Sequence, residues 1–191
     1  MGIDRAVFNL FNGFALRWGV VDTIVRVLMN DYVLITALAA VLLGLWFMGD
    51  LAARDGHQKA LFGSIAAVVL GNGLIKLLNL VYYRHRPFAF EPVRLLFYRP
   101  SDSSFPSNAT MVGFAMAMVV WYTNRKAGLL MVGLSATLGL VRIVGGVHFP
   151  SDVLGGALIG AGAGYVVVRR LSVLDRLWTA VIGLARRLLL A

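Results

Sequence analysis

Long apolar stretches dominate this sequence and limit the folds open to it. Residues 32–48 run for seventeen positions without a charge, close to the roughly 20 apolar residues that a helix needs to cross a bilayer. Four further stretches of this kind follow, at 60–83, 109–122, 127–147 and 153–168. The strict alternation of a membrane barrel is absent, so these stretches predict membrane helices.

The composition agrees with a membrane protein. Of 191 residues, 59% are hydrophobic and 14% are charged, whereas soluble domains average about 45–50% apolar and 25% charged residues. The absence of Cys excludes a disulfide-stapled secreted domain. We therefore predict an all-α integral membrane protein, a bundle of five to six membrane-embedded helices that forms one domain over residues 1–191.

Both ends of the chain space their apolar residues as in a helix but interrupt them with charges. Residues 1–30 predict two short amphipathic helices, which lie at the membrane interface or form an extra layer on the bundle. Residues 31–170 hold the helical core, and residues 171–191 predict an amphipathic helix along a membrane surface. Glycines repeat through the 153–168 stretch, which predicts close packing against a neighbouring helix.

The charges suggest an orientation in the membrane. Five spans place 50–59, 123–126 and everything after 168 on one side, with nine Lys or Arg residues, and 84–106 and 148–152 on the other. The positive-inside rule makes the first side cytoplasmic and predicts a multi-pass plasma-membrane protein. The four Arg residues of 84–106 oppose this rule. In so apolar a chain, a net charge of +9 indicates anionic lipid or a phosphorylated substrate, not nucleic acid.

Three polar residues where the fourth stretch meets the fifth carry candidate chemistry. A charged Arg inside a span costs about 2.5–3.5 kcal/mol, so Arg142 is expected to face a polar interior; snorkelling to the interface is the alternative. His148 follows six positions later and Asp152 four after that. A carboxylate on one imidazole nitrogen leaves the other nucleophilic or basic. Asp152 is alternatively only an N-terminal helix cap.

The other loop on the same side adds anion-binding groups. Arg86 follows the second stretch, and Ser107 and Asn108 precede the third as good N-cap residues. The N–H groups of a helix start and two arginines suit the oxygens of a phosphoryl group. The sequence thus predicts a phosphate cradle beside a candidate nucleophile.

These residues together resemble the type 2 phosphatidic acid phosphatase superfamily. That family carries K-x6-R-P, P-S-G-H and S-R-x5-H-x3-D motifs on a helical membrane bundle related to the vanadium haloperoxidase fold. Here Arg86-Pro87, Pro106-Ser107 and Arg142-x5-His148-x3-Asp152 occur in the same order. The third motif is the most specific of the three.

The resemblance implies roles for the matching residues. His148 matches the nucleophile that forms a phosphohistidine, and Asp152 matches the residue that orients it. Arg86, Arg142 and Ser107 match phosphate-binding residues. The resemblance implies no metal and no other cofactor.

Three positions depart from the family pattern. Asn79 stands where the family has Lys; Lys76 lies one helical turn earlier and is a weaker candidate for the same phosphate-binding role. Val141 replaces the Ser before Arg142. Ala109 replaces the second-motif His, which in the family protonates the leaving oxygen.

Because general acid catalysis typically contributes about 10²–10⁴-fold, Ala109 predicts a crippled enzyme. Because the other main site residues, Arg86, Arg142, His148 and Asp152, match the family, an engineered His-to-Ala change is favoured. A naturally impaired homologue and a substitute proton donor such as His85 are the alternatives. The alternative that is not an enzyme is a catalytically silent homologue that only binds lipid phosphate.

The substrate is inferred from a narrower resemblance. Residues 7–12, 79–88 and 104–108 resemble the bacterial undecaprenyl diphosphatase branch, the bacitracin-resistance type. This implies an isoprenoid diphosphate lipid as substrate, met at the outer face during recycling of the cell-wall carrier. Phosphatidylglycerophosphate or phosphatidate is the alternative substrate. The oligomeric state is left open.

Overall fold

The computed structural model describes residues 2–30, 32–90, 92–170 and 173–187 and contains only helices and loops within these ranges. The all-α prediction is therefore confirmed. In this part of the chain eight α-helices follow one another: α1 (Ile3–Asn12), α2 (Gly19–Met29), α3 (Val33–Phe47), α4 (Leu51–Val81), α5 (Asn108–Thr123), α6 (Arg125–Val144), α7 (Pro150–Arg170) and α8 (Val173–Arg187). One short 3-10 turn, Pro87–Ala89, lies in the long loop between α4 and α5.

Several of these helices have the length and composition of membrane spans. Within the described ranges, α4, α6 and α7 are each long and apolar enough to cross a bilayer. The pair α2 and α3 passes the same test jointly, although it is bent by 56°. The remaining predicted span, α5, has 16 residues and so measures about 24 Å, less than the hydrocarbon thickness.

Helix α5 nevertheless lies at the centre of the bundle. It packs against α4, α6 and α7. Its Met111 and Ala115 are fully buried, together with Leu38 of α3 and Met131 of α6. A short helix enclosed on three sides holds its two ends in fixed positions, and the N-terminal end carries residues of the site described below.

The N-terminal helices form the extra layer, one of the two predicted arrangements. Helix α1 packs against α6 and α7, and α2 packs against α6 and α3. The Phe8 ring lies 5.4 Å from the Phe149 ring, between centroids. Met29 is fully buried in a cluster with Val141 and Val144. The start of the chain is thus anchored beside the loop that precedes α7.

Two predicted boundaries were wrong. The segment 50–59, expected as a loop, forms the first turns of α4, because the Asp50 side chain caps the helix by accepting a hydrogen bond from the N–H of Ala53 (2.9 Å). The fourth span ends at Val144, not at 147, because Gly145 caps it and Gly146 follows with a φ of +85°.

Helix α8 agrees with the amphipathic C-terminal helix predicted for 171–191. Residues 171–172 and 188–191 of that prediction lie outside the described residues. Arg186 of α8 donates to Gln58 of α4 (2.9 Å), and Trp178 packs against the core.

The glycine repeat brings α7 against α5, as predicted. A Cβ at Gly156 would collide with the carbonyl oxygen of Ser107, and one at Gly160 with that of Met111. Gly162, on the same helix, has nothing within 4 Å of the corresponding position. The close approach therefore depends on particular glycines and not on the glycine content of the helix.

This difference gives a test of the α5–α7 contact. We expect Gly160→Ala to lower the free energy of unfolding by about 1–3 kcal/mol, because the two backbones must separate. The matched control Gly162→Ala should be neutral or stabilising, since alanine favours a helix over glycine by about 1 kcal/mol. Thermal unfolding midpoints in detergent measure both, and equal midpoints for the two variants would contradict the packing described.

Candidate active site

The polar residues singled out in the sequence converge at one end of the bundle. The loop after α4, the start of α5, the end of α6 and the start of α7 meet there. They enclose a cavity of about 320 Å³ whose walls include Arg86, Arg142 and His148. The 84–106 loop and the 148–152 turn, which were predicted to share one side of the membrane, meet at this end of the bundle.

His148 presents one ring nitrogen to this cavity. Its Nδ1 lies 2.9 Å from the carbonyl oxygen of Ser104. Because a carbonyl only accepts hydrogen bonds, Nδ1 carries the proton. Nε2 lies 3.3 Å from Nη1 of Arg86, which can only donate, so Nε2 holds a lone pair. This is the tautomer that a nucleophile at Nε2 requires.

Asp152 holds this arrangement without bonding the ring directly. Its side chain is completely buried, and Oδ2 is 3.7 Å from Nδ1 of His148. The same oxygen accepts hydrogen bonds from the Ser104 hydroxyl (2.5 Å) and from the N–H of Phe149 (2.7 Å). The two roles weighed for Asp152 therefore coexist: it caps α7, and it steers His148 through Ser104.

The surroundings keep the imidazole neutral. Burial lowers the pKa of His148 below its usual value of 6.5, the charges of Arg86 and Arg142 act in the same direction, and Asp152 opposes them. Burial disfavours the imidazolium because its charge loses hydration. A neutral ring with its proton on Nδ1 is the form that attacks an electrophile.

Both arginines line the cavity and are themselves buried. Arg86 is 7% exposed and donates to the carboxylate of Asp102 (2.8 Å) and the carbonyl of Val147 (3.0 Å). Arg142 is 5% exposed, and its guanidinium stacks on the ring of Phe97 at 4.8 Å. Arg142 therefore faces the interior, as predicted, and does not snorkel.

The second-motif residues divide between the cavity and the helix. Asn108 and Ala109 line the cavity. Ser107 is the residue before α5, but its hydroxyl is fully buried and pairs with that of Thr110 (3.0 Å). The Ser107 N–H donates to the carbonyl of Asp152 (2.9 Å), which ties the start of α5 to the start of α7.

Two other residues considered from the sequence lie outside this cavity. Lys76 lines a second cavity of about 360 Å³, together with Asn72 and Asn79; it borders the first through shared wall residues that include Asn108. His85 is exposed, with its ring edge-on to those of Tyr83 (5.2 Å) and Phe90 (5.6 Å). His85 is therefore not placed to replace the His missing at position 109.

Sequence reasoning missed three residues that shape the site. Arg84, counted from the sequence only among the loop arginines that oppose the positive-inside rule, forms ion pairs with Asp152 and with Asp4, each at 2.6 Å. Ser104 supplies the carbonyl that binds His148. The proximity of Arg84 to the Arg86-Pro87 motif was a signal for its position, but nothing in the sequence connects Asp4 to this loop.

The fold and the site together define a class of protein: a helical membrane bundle with a buried histidine and two arginines lining a polar cavity. The sequence model of the PAP2 superfamily matches residues 59–176, and the chain belongs to that family. It is a PAP2 phosphatase of the membrane lipid-phosphate type.

Individual relatives resemble the chain over most of its length. The undecaprenyl-diphosphatase BcrC of Bacillus subtilis (strain 168) is 31% identical, over 87% of this chain and 83% of its own. The crystal structure of Aquifex aeolicus LpxE superposes with a TM-score of 0.66 at 28% identity, over 88% and 96% of the two chains. A transmembrane PAP2 type phosphatidylglycerolphosphate phosphatase from Bacillus subtilis shares the fold, with a TM-score of 0.60 at 19% identity over 87% and 85%.

The state of His148 can be measured without any substrate. The chain has three His residues, so their imidazole signals can be followed by NMR in detergent as the pH is lowered. We expect the His148 signal, identified by its loss in His148→Gln, to titrate below pH 6.5, because burial and two arginines disfavour the imidazolium. A midpoint at or above 6.5 would contradict the electrostatics described.

Proposed function

We propose that the chain removes the terminal phosphate of undecaprenyl diphosphate, releasing undecaprenyl phosphate and inorganic phosphate through a phosphohistidine. The observation that carries this proposal is the Nε2 lone pair of His148, which faces a cavity between Arg86 and Arg142. The resemblance to the undecaprenyl-diphosphatase of Bacillus subtilis supports the choice of lipid. The reaction returns a cell-wall carrier lipid to use.

The residues present account for both half-reactions without a metal. Nε2 of His148 attacks the terminal phosphorus, and the bond to the bridging oxygen breaks as the lipid phosphate leaves with its electron pair. Arg86 and Arg142 offset the charge on the phosphoryl oxygens. Water then cleaves the N–P bond, releasing phosphate and restoring the neutral ring.

Because residue 109 is Ala, the rate of the reaction depends strongly on the basicity of the leaving group. The methyl of Ala109 lines the cavity but has no proton to give. A lipid phosphate, whose second pKa is about 6, departs from a diphosphate without needing a proton near neutral pH. An alcohol departing from a phosphate monoester is a far stronger base and needs one. We therefore infer that the chain is impaired, and that the impairment is smallest on a diphosphate.

The second cavity suits the other phosphate of such a substrate. Lys76 and the amides of Asn72 and Asn79 border it, and Asn108 belongs to both cavities. A terminal phosphate at His148 would place the lipid-proximal phosphate towards this wall. On this proposal Lys76 and Asn108 bind phosphate, while Ser107 supports the site by holding α5 against α7.

The first test restores the missing group. We expect Ala109→His to raise phosphate release, by about 10²–10⁴-fold for phosphatidate or phosphatidylglycerophosphate and by a smaller factor for undecaprenyl diphosphate. Assays in detergent with added chelator compare the three lipids for both proteins. His148→Ala in the restored protein is the control and should abolish release.

The outcomes separate the candidates. Equal rates for the chain with Ala109 and for the Ala109→His protein would contradict the impairment. Preference of the restored protein for the glycerolipids would keep the mechanism and replace the substrate. No release by the restored protein would favour the silent lipid-phosphate-binding homologue.

We also propose that the site faces the outside of the cell. Basic residues cluster at the opposite end of the bundle, at the start of α6 and the end of α7. Three of the four Arg residues in the site loop have internal partners: Arg84 pairs with Asp4, Arg86 with Asp102, and Arg94 donates to the carbonyl of Ala15. These contacts within the fold account for the presence of arginines in a loop that the positive-inside rule would leave poor in basic residues.

The absence of Cys allows a clean test of this orientation. Ser101 and Lys126 are both exposed, at opposite ends of the bundle. In intact cells we expect a membrane-impermeant maleimide to label Ser101→Cys but not Lys126→Cys, because only the first faces outward. Labelling after cell lysis controls for reactivity. The reverse pattern would place the site in the cytoplasm.

A further inference from the structure

We propose that Asp4, at the start of the N-terminal helix, is a positioning residue for the reaction: it holds Arg84 against Asp152 and thereby fixes His148. The inference rests on the nucleophilic role proposed for His148. On this inference, α1 contributes directly to the geometry of the active site.

Arg84 is the link between the two carboxylates. One terminal nitrogen, Nη2, bonds Oδ2 of Asp4 at 2.6 Å. The other, Nη1, bonds Oδ1 of Asp152 at 2.6 Å and the hydroxyl of Ser151 at 2.6 Å. The Arg84 guanidinium also lies over the ring of Phe149 at 4.4 Å. A planar group held at both ends and on one face has little freedom to reorient.

Asp4, which belongs to α1, also caps the N-terminus of α7. Its Oδ1 accepts a hydrogen bond from the N–H of Ser151 (2.9 Å), and its Oδ2 accepts one from the Ser151 hydroxyl (2.6 Å). Ser151 belongs to the first turn of α7, where backbone N–H groups have no partner within the helix. These contacts join residues 147 positions apart. Burial alone would raise the pKa of Asp4, but the hydrogen bonds from Ser151 and the ion pair with Arg84 outweigh it and lower the pKa below its usual value.

The network compensates the negative charge of the buried Asp152 carboxylate. A carboxylate with no exposure requires a compensating positive charge. Of the charged groups around His148, Arg86 and Arg142 lie on the cavity side and Asp102 pairs with Arg86. Arg84 is the cation bonded to Asp152 itself. If Arg84 were removed, the nearest group able to balance Asp152 would be the imidazole, in its protonated form, which cannot attack phosphorus.

The test follows both turnover and the charge of His148. In the Ala109→His protein, we expect Arg84→Gln to lower kcat for undecaprenyl diphosphate by about tenfold to a hundredfold, with KM little changed, since Arg84 does not line the cavity. In the chain with Ala109, the NMR titration midpoint of His148 should rise. Asp4→Asn should produce both effects in smaller degree.

A matched control and a double variant sharpen the result. Asp22→Asn removes another N-terminal carboxylate, one that accepts from the N–H of Leu16 (2.8 Å), and should leave kcat and the midpoint unchanged. Because Asp4 acts mainly through Arg84, the double variant Asp4→Asn with Arg84→Gln should be about as active as Arg84→Gln alone.

The possible results decide the proposal. If Asp4→Asn lowers only the thermal unfolding temperature, while kcat and the His148 midpoint stay as they were, Asp4 has a structural role alone and the proposal is overturned. If the double variant lost kcat by the product of the two single losses, Asp4 would not act through Arg84, and the proposal would again be overturned. If His148→Ala retains activity, the proposed function itself fails. The titration midpoints of the Asp4 and Arg84 variants still report whether the two residues set the state of the ring.

Discussion

The buried carboxylate of Asp152 is the interaction on which the rest of the site depends. It accepts hydrogen bonds from Ser104, Phe149 and Arg84, at 2.5, 2.7 and 2.6 Å. Ser104 and Arg84 belong to the loop after α4, and Phe149 directly precedes α7. One side chain therefore fixes that loop and the start of α7 together. The His148 ring takes its orientation from the Ser104 carbonyl, whose own position depends on that carboxylate.

Close packing of helices makes this convergence possible. Gly156 and Gly160 let the backbone of α7 approach α5 until the N–H of Ser107 reaches the carbonyl of Asp152. Larger side chains there would separate the two helix starts and widen the cavity. Stability in the membrane interior and geometry at the site therefore depend on the same glycines. The same contact explains why Ser107, whose hydroxyl is turned away, still affects the cavity.

Local patterns in the sequence predicted much of this arrangement, and long-range contacts account for what they missed. Arg142, His148 and Asp152 were predictable because they are close in the chain and because a charge within an apolar stretch is costly. The helical start of α4 was missed because hydropathy does not register a polar first turn with an Asp50 cap. The ion pair between Asp4 and Arg84 spans 80 positions, and no periodicity or spacing in one sequence specifies such a pairing.

The ion pair between Arg86 and Asp102 bears on how an anion is bound at this site. Arg86 already has a carboxylate partner, Asp102, but that side chain is 71% exposed, and ion pairs with an exposed partner contribute little. A phosphate with two negative charges that reaches both Arg86 and Arg142 gains more than Asp102 provides to one of them. On the proposed function, the substrate phosphate would replace Asp102 as the partner of Arg86. The buried Asp152, paired with Arg84, cannot exchange in this way. On the proposed mechanism it therefore positions His148, whereas Asp102 does not.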